Sequence, residues 1–128
     1  MTAATLFGVT LAPLFAALAQ VESGNGKTSQ NIYQITERFV DDVNRISTEE
    51  KFVYSDRYDR KRSERMMEIY LAHYCVQYTD ETGRLPTWET MARIHNGGPK
   101  GAEKRSTIDY GARVWEALAR IRLEARHA

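Results

Sequence analysis

Glu22 is a candidate proton donor, with exposure in the last turn of a helix, the commonest fate of a surface Glu, as the competing reading. Leu11, Leu14, Phe15 and Leu18 recur at i, i+3, i+4 and i+7, one face of a helix whose stripe reaches Glu22 four residues past Leu18. A carboxyl on that face loses hydration when ionised, so its pKa rises and it can keep a proton near neutral pH, as a general acid must. Gly24 is placed to end the helix as its C′ residue. Downstream, His95-Asn96-Gly97-Gly98-Pro99 reads as a helix-to-loop junction that no regular element accommodates, where two glycines let backbone N–H groups and side chains approach an extended ligand. Structural duty for His95, a buried hydrogen bond holding the loop, competes with direct contact. Tyr33 and Gln34 sit on a short strand-like run, Ile32 to Ile35, where a ring could stack on a ligand and an amide could bond to it. Local packing of Tyr33 is the equal alternative.

Other chemistries lack residues. The three histidines, 73, 95 and 127, show no H-x-x-x-H spacing, and the single cysteine, Cys75, makes neither an internal disulfide nor a zinc site. No metal or cofactor is expected, and Cys75 within a helix reads as a buried inert thiol. Arg57, Arg60, Lys61, Arg62 and Arg65 interleave with Asp56, Asp59, Glu64 and Glu68, the pattern of a solvated helix face with ion pairs rather than a nucleic-acid patch. With 18 Lys+Arg against 17 Asp+Glu, the formal charge of +1 supplies no global field toward polyanions.

The elements that position these residues are mostly helical. At 128 residues, 42% hydrophobic and 27% charged, the chain fits one packed domain over 1–128, without internal repeats. No charged residue precedes Glu22, so the start can be read as a signal, a membrane span or a helix. A signal lacks its basic n-region, and Thr2, Thr5, Gly8, Thr10, Pro13 and Gln20 interrupt a span. The helix is the reading adopted, with Pro13 in its first turn and residues 1–8 left open as a flexible or targeting remnant. Residues 25–35, with Asn25-Gly26, then form a small hairpin or loop. Thr36 caps a helix carrying Phe39, Val40, Val43 and Ile46; a central helix runs from Asp59 to about Thr79, with Gly83 just beyond. Thr87 opens a helix with Trp88, Met91 and Ile94. A last one starts at Ser106 or Thr107, with Asp109 in a capping-box-like position, and runs through Ile121.

In this order, Gln20-Val21-Glu22-Ser23-Gly24, Tyr33-Gln34-Ile35, Asp42, Ala92 to Gly101 and Lys104-Arg105-Ser106-Thr107 resemble invertebrate-type, destabilase-like lysozymes over about residues 18–118. Glu-Ser-Gly alone is weak; the His-Asn-Gly-Gly-Pro-x-Gly segment downstream makes the combination specific. The resemblance implies a mainly α, α+β lysozyme-like fold of about five helices around a central helix, with one short β-hairpin or loop beside the catalytic Glu. It also implies cleavage of the β-1,4 bond between N-acetylmuramic acid and N-acetylglucosamine in peptidoglycan. Glu22 matches the catalytic acid; Ser23, Tyr33, Gln34, His95, Asn96 and Gly97 are the substrate-binding candidates it brings with it. The partner implied is the glycan chain, with neither nucleic acid nor stable membrane insertion. Since that substrate lies outside the cytoplasmic membrane, an extracellular, periplasmic or lysis-released enzyme is expected.

The sequence departs from the family in three ways. The disulfide positions are not cysteine, Val43 after Asp42 among them, which resembles a bacterial or phage member built to fold without oxidation. The family's usual second carboxylate is missing, because Gly24 to Tyr33 contains no Asp or Glu. Its Tyr-Trp pair reads Tyr110-Gly111, so that one aromatic contact is either lost or supplied by Trp115. Two mechanisms follow: attack by the substrate's own N-acetyl group or 6-hydroxyl with Glu22 alone, or recruitment of Asp42 or Asp41 as the second carboxylate. The first is preferred, since Asp42 follows Phe39 and Val40 within a helix. A lytic transglycosylase and a non-catalytic glycan-binding relative are the alternatives. The isopeptidase activity of some members has no residue pattern here to carry it.

Overall fold

The computed structural model describes residues 4–23 and 31–127. An antiparallel pair, β1 (Thr5–Leu6) and β2 (Val9–Thr10), precedes five helices: α1 (Ala12–Ser23), α2 (Glu37–Ile46), α3 (Arg60–Thr82), α4 (Trp88–Gly97) and α5 (Ile108–Arg126). The fold is mainly α with one small sheet, the expected class. None of the described helices is long and apolar enough to cross a membrane.

Among the described residues the hairpin lies before α1. Phe7 and Gly8 both take positive φ, 51° and 76°, the left-handed pair that a two-residue hairpin turn requires. Leu6 is buried at 7% exposure, the Thr5 N–H donates to Glu68 of α3 at 3.3 Å, and the Leu11 N–H donates to the Ala4 carbonyl at 2.9 Å. The stretch from Ala4, open as a remnant on sequence grounds, is therefore packed on α3. Ile32–Ile35 is a turn instead of a strand. The Gln34 N–H donates to the Asn31 carbonyl at 3.0 Å, while the Asn31 amide clasps Ile35 from both sides, Nδ2 to its carbonyl and Oδ1 from its N–H, each at 2.9 Å. An Asn side chain replacing backbone partners in this way closes a turn that apolar neighbours alone would extend. Asn25-Gly26 and the Gly24 cap lie outside the described residues.

Three helices begin on side-chain caps. Thr36 accepts from the Phe39 N–H at 3.1 Å, Asp59 from Arg62 at 2.9 Å and Thr87 from Thr90 at 3.1 Å, each cap contributing about 1 kcal/mol. α3 ends on Gly83 at φ 72°, where a side chain would be strained. Two expectations fail. α4 continues through His95 and Asn96 to Gly97, so that segment is the last turn of a helix followed by the left-handed Gly98 (φ 89°). At α5, Thr107 occupies the N-cap position but its hydroxyl donates to the Gly101 carbonyl at 2.5 Å, and Asp109 pairs with Arg113 at 3.3 Å instead of closing a capping box.

α1 packs against α5 and α4, α4 also against α3 and α5, and α2 against α3, so the centre expected for α3 alone is shared with α4. Met66, Met67, Leu71 and Cys75 are buried along α3. Gly101 makes the tightest approach, after α4: a Cβ there would meet the Arg93 carbonyl oxygen at 2.0 Å. Backbone on both sides leaves nothing to rotate away. Gly101→Ala is expected to lower stability by about 3 kcal/mol, the upper part of the overpacking range, read as a lower urea midpoint with unchanged m-value.

Candidate active site

A cleft of about 810 Å³ opens where the C-terminal end of α1, the 31–36 turn, one face of α2 and the end of α4 converge. Glu22 lines it at the end of α1, and Gln34, Asp42, His95, Asn96 and Gly97 line it from the other elements. Six of the eight residues singled out in the sequence therefore meet in one place.

Glu22 arrives there because α1 is apolar almost throughout: Leu14, Phe15, Ala17, Leu18 and Ala19 are buried, leaving the last turn to carry the polar group. Its side chain is 17% exposed. Burial raises its pKa above the ordinary carboxylate value, and the nearby Tyr110 hydroxyl and Arg113 guanidinium, both on α5, pull it back part of the way. The negative end of the α1 dipole acts in the same direction as burial, disfavouring negative charge. The Tyr110 hydroxyl is itself buried without an aligned hydrogen bond, and its own pKa is raised, first by burial and then by Glu22.

His95 Nε2 lies 3.9 Å from Glu22 Oε2. Burial pushes the imidazole down to about 4, so at neutral pH it is uncharged beside the carboxyl, and Phe39 packs edge-on against it at 5.5 Å. His95 is thus both buried and on the cleft wall, while its Nδ1, buried, makes no aligned hydrogen bond among the described residues of the kind expected to hold the loop. Gly97 allows close approach: a Cβ there would meet Thr107 Cγ2 at 2.5 Å, and its carbonyl accepts from Lys104 Nζ at 2.6 Å. Gln34 sits at φ 51°, the left-handed region unusual for a side chain of its size, and its Nε2 donates to the Asn31 carbonyl at 2.9 Å.

Two candidates do not reach the cleft. Tyr33 is 1% exposed, its hydroxyl donates to Glu64 at 2.5 Å and its ring meets Phe15 edge-on at 6.2 Å, so it packs in the core and has no free face for a sugar. Ser23 is buried, its hydroxyl donating to the Ile32 carbonyl at 2.9 Å, where it ties the end of α1 to the turn. Trp115 lies in a separate groove on α5 and adds no aromatic contact to the cleft. Cys75 is buried, with its thiol pushed up to about 12. Among the described residues, no group of three His, Cys, Asp or Glu side chains could hold a metal ion.

Sequence reasoning overlooked Arg38 and Arg45 and the cleft position of Phe39, Tyr70 and Tyr74, while Asp41 entered only as an alternative second carboxylate and Lys104 only within the family-like segment. Tyr70 and Tyr74 are core residues with an edge on the cleft; Phe39 stacks on Tyr70 at 4.3 Å and 25°. The α2 residues carried a readable signal, since 38, 41, 42 and 45 fall at i, i+3, i+4 and i+7 opposite the apolar stripe.

Part of the chain is similar to a lysozyme of Ostrea edulis: 40% identical over 45 residues, which are 35% of this chain and 30% of the oyster protein. The chain thus matches less than a third of that relative's length. No protein-family model matches.

Two measurements check this electrostatic arrangement. In Tyr110→Phe the hydroxyl that favours the ionised carboxyl is gone, so the Glu22 pKa, followed by carboxyl-carbon NMR titration, is expected to rise further. For His95 the folded pKa lies below the ordinary 6.5, so the unfolded chain binds the proton first as pH falls. Its contribution to stability is complete above about 6.5 and is lost on acidification toward 4, by up to about 3 kcal/mol. Urea midpoints measured across that window should fall with pH, and the slope should flatten in His95→Gln.

Proposed function

We propose that this protein is a peptidoglycan-cleaving glycosidase of lysozyme type, cutting the β-1,4 bond between N-acetylmuramic acid and N-acetylglucosamine. The observation that carries the reading is Glu22: a mostly buried carboxyl with a raised pKa, at the end of an apolar helix on the wall of a cleft of about 810 Å³. Such a group retains its proton until the leaving glycosidic oxygen needs it as oxocarbenium character develops, and then serves as base toward the incoming nucleophile. The partial similarity to an oyster lysozyme supports the same assignment.

The nucleophile in this reading comes from the substrate. Asp42, the other carboxylate considered, has both oxygens engaged: Oδ2 accepts from Tyr74 and Oδ1 from Arg45, each at 2.5 Å. A carboxylate held on both sides by its own protein is poorly disposed to attack an anomeric carbon. The N-acetyl group or the 6-hydroxyl then does so with Glu22 alone, the 6-hydroxyl route giving a lytic transglycosylase. Peptidoglycan as substrate places the work outside the cytoplasmic membrane or after lysis.

Purified cell walls treated with the protein are expected to lose turbidity and release fragments. Mass spectrometry separates reducing ends, from hydrolysis, from 1,6-anhydro ends, from transglycosylation. Glu22→Gln should lower the rate by about a thousandfold, within the range for loss of a general acid. Undiminished lysis by that variant would sink the assignment, and binding without fragments would make the protein a glycan-binding relative.

A further inference from the structure

The polar face of α2 is a wall of the cleft. Val40 and Val43 turn inward, and Arg38, Asp41, Asp42 and Arg45 follow one another along the cleft side. Asp42 organises this face. Its Oδ1 accepts from Arg45 Nη2 at 2.5 Å and Nε at 3.1 Å, its Oδ2 accepts from the Tyr74 hydroxyl at 2.5 Å, and Arg45 Nη2 also donates to that hydroxyl at 2.9 Å. Two side chains, Asp42 of α2 and Tyr74 of α3, therefore brace one edge of the Arg45 guanidinium. The other edge is open: Arg45 is 65% exposed, and Nη1 makes no hydrogen bond to the described residues.

An Arg held flat by a carboxylate and a phenol has already lost its rotamer freedom, so a ligand carboxylate meets the fixed Nη1 donor at little entropic cost. Arg38, two turns earlier on the same face, is exposed and makes no ion pair among the described residues. It offsets Asp41, three residues on, which would otherwise repel an anion. Lys104 adds a third cation to the lining, its Nζ held by the Gly97 carbonyl at 2.6 Å. Arg38, Arg45 and Lys104 thus place three cations in a lining whose carboxyls are Glu22, Asp41 and Asp42, and of these Asp42 is already committed to Arg45 and Tyr74.

We propose that Arg45, braced by Asp42 and Tyr74 and assisted by Arg38, is a carboxylate-binding subsite that selects glycans bearing an acidic substituent, such as a lactyl ether or its attached peptide, over uncharged N-acetylglucosamine polymer. This rests on the reading of the cleft as a glycosidase site. Arg45 is the specificity determinant, Asp42 its positioning residue.

The test compares the full chain and its variants on two substrates of matched length, a peptide-bearing muropeptide oligomer and an N-acetylglucosamine oligomer. Wild type is expected to prefer the acidic oligomer. Arg45→Gln should lower that preference in kcat/KM by about tenfold, through KM, the scale of one charge-assisted hydrogen bond. Arg45→Lys should recover part of it, and Asp42→Asn should lose preference through KM as well. Equal loss on both substrates, no preference in wild type, or a collapse of kcat on both substrates in Asp42→Asn would overturn the proposal, the last by placing Asp42 in the chemistry. A binding measurement stands apart from activity. Titrating wild type with N-acetylmuramoyl dipeptide should shift the Arg45 Nε–H resonance saturably, and N-acetylglucosamine should not. If wild type cleaves neither oligomer but this shift appears, the glycosidase reading fails and the subsite stands; if it cleaves the oligomers and the shift is absent, the reverse holds.

Discussion

A carboxyl kept out of water at the end of an apolar helix is the constraint on which the rest of this structure depends. Glu22 cannot be shielded by α1 alone, because a helix end is open on three sides. α5 closes one of them with Tyr110 and Arg113, and α4 another with His95. The packing of α1 on α5 and α4 is therefore more than core formation: it sets the environment of one proton. The segment between α4 and α5 serves the same end. Arg93 Nε donates to Thr107 at 2.8 Å, Thr107 donates to the Gly101 carbonyl, and Gly97 and Gly101 sit where a Cβ would collide. That motif is a fastening of α4 to α5, which fixes the two sides of Glu22 relative to each other.

The electrostatics is a balance with a definite sign. Burial and the end of α1 raise the Glu22 pKa, while Tyr110 and Arg113 lower it, and burial is the larger effect. His95 decides whether that holds. An imidazolium 3.9 Å from the carboxyl would stabilise its anion by direct attraction in a poorly hydrated site and return the pKa toward ordinary values. Burial prevents this by holding His95 at about 4, so the ring is neutral wherever a protonated Glu22 would be useful. The deep placement of His95 and the acidity of Glu22 are thus one arrangement seen from two residues.

Much of this was legible in residue order. The periodic stripes located five helices, three of them together with the caps Thr36, Asp59, Thr87 and Gly83, because caps and amphipathic spacing are local properties. Glu22, Gln34, Asp42 and His95 to Gly97 were legible as a group through their order along the chain, and the fold brings them to one cleft. Tertiary contacts hid the rest. Tyr33 could serve a ligand or the core with equal local logic, and only Glu64, 31 residues away, settles where its hydroxyl goes. Ile32–Ile35 has strand-like composition, yet Asn31 supplies the hydrogen bonds that bend it. Thr107 looks like a cap and is diverted to Gly101. The charged face of α2 was visible too, but charges on a helix ordinarily face solvent, and nothing local distinguishes solvent from a cleft.

The pairing of Asp42 bears on how a single-acid site would work. Gly24 to Tyr33 supplies no carboxylate, and the Asp42 oxygens are committed to Tyr74 and Arg45. Tyr74 is pushed up to about 12, so its hydroxyl stays a donor at neutral pH and keeps hold of Asp42. Freeing that carboxylate for nucleophilic attack would break three hydrogen bonds and leave the Arg45 guanidinium without its brace. A site arranged like this spends its second carboxylate on orientation. Under the proposed reaction, the nucleophile must then arrive with the substrate, and correct seating of the glycan replaces a fixed protein nucleophile in setting the reacting geometry. Recognition and chemistry are coupled in such a site more tightly than where two carboxylates flank the bond, because a glycan that is held wrongly brings its nucleophile to the wrong place.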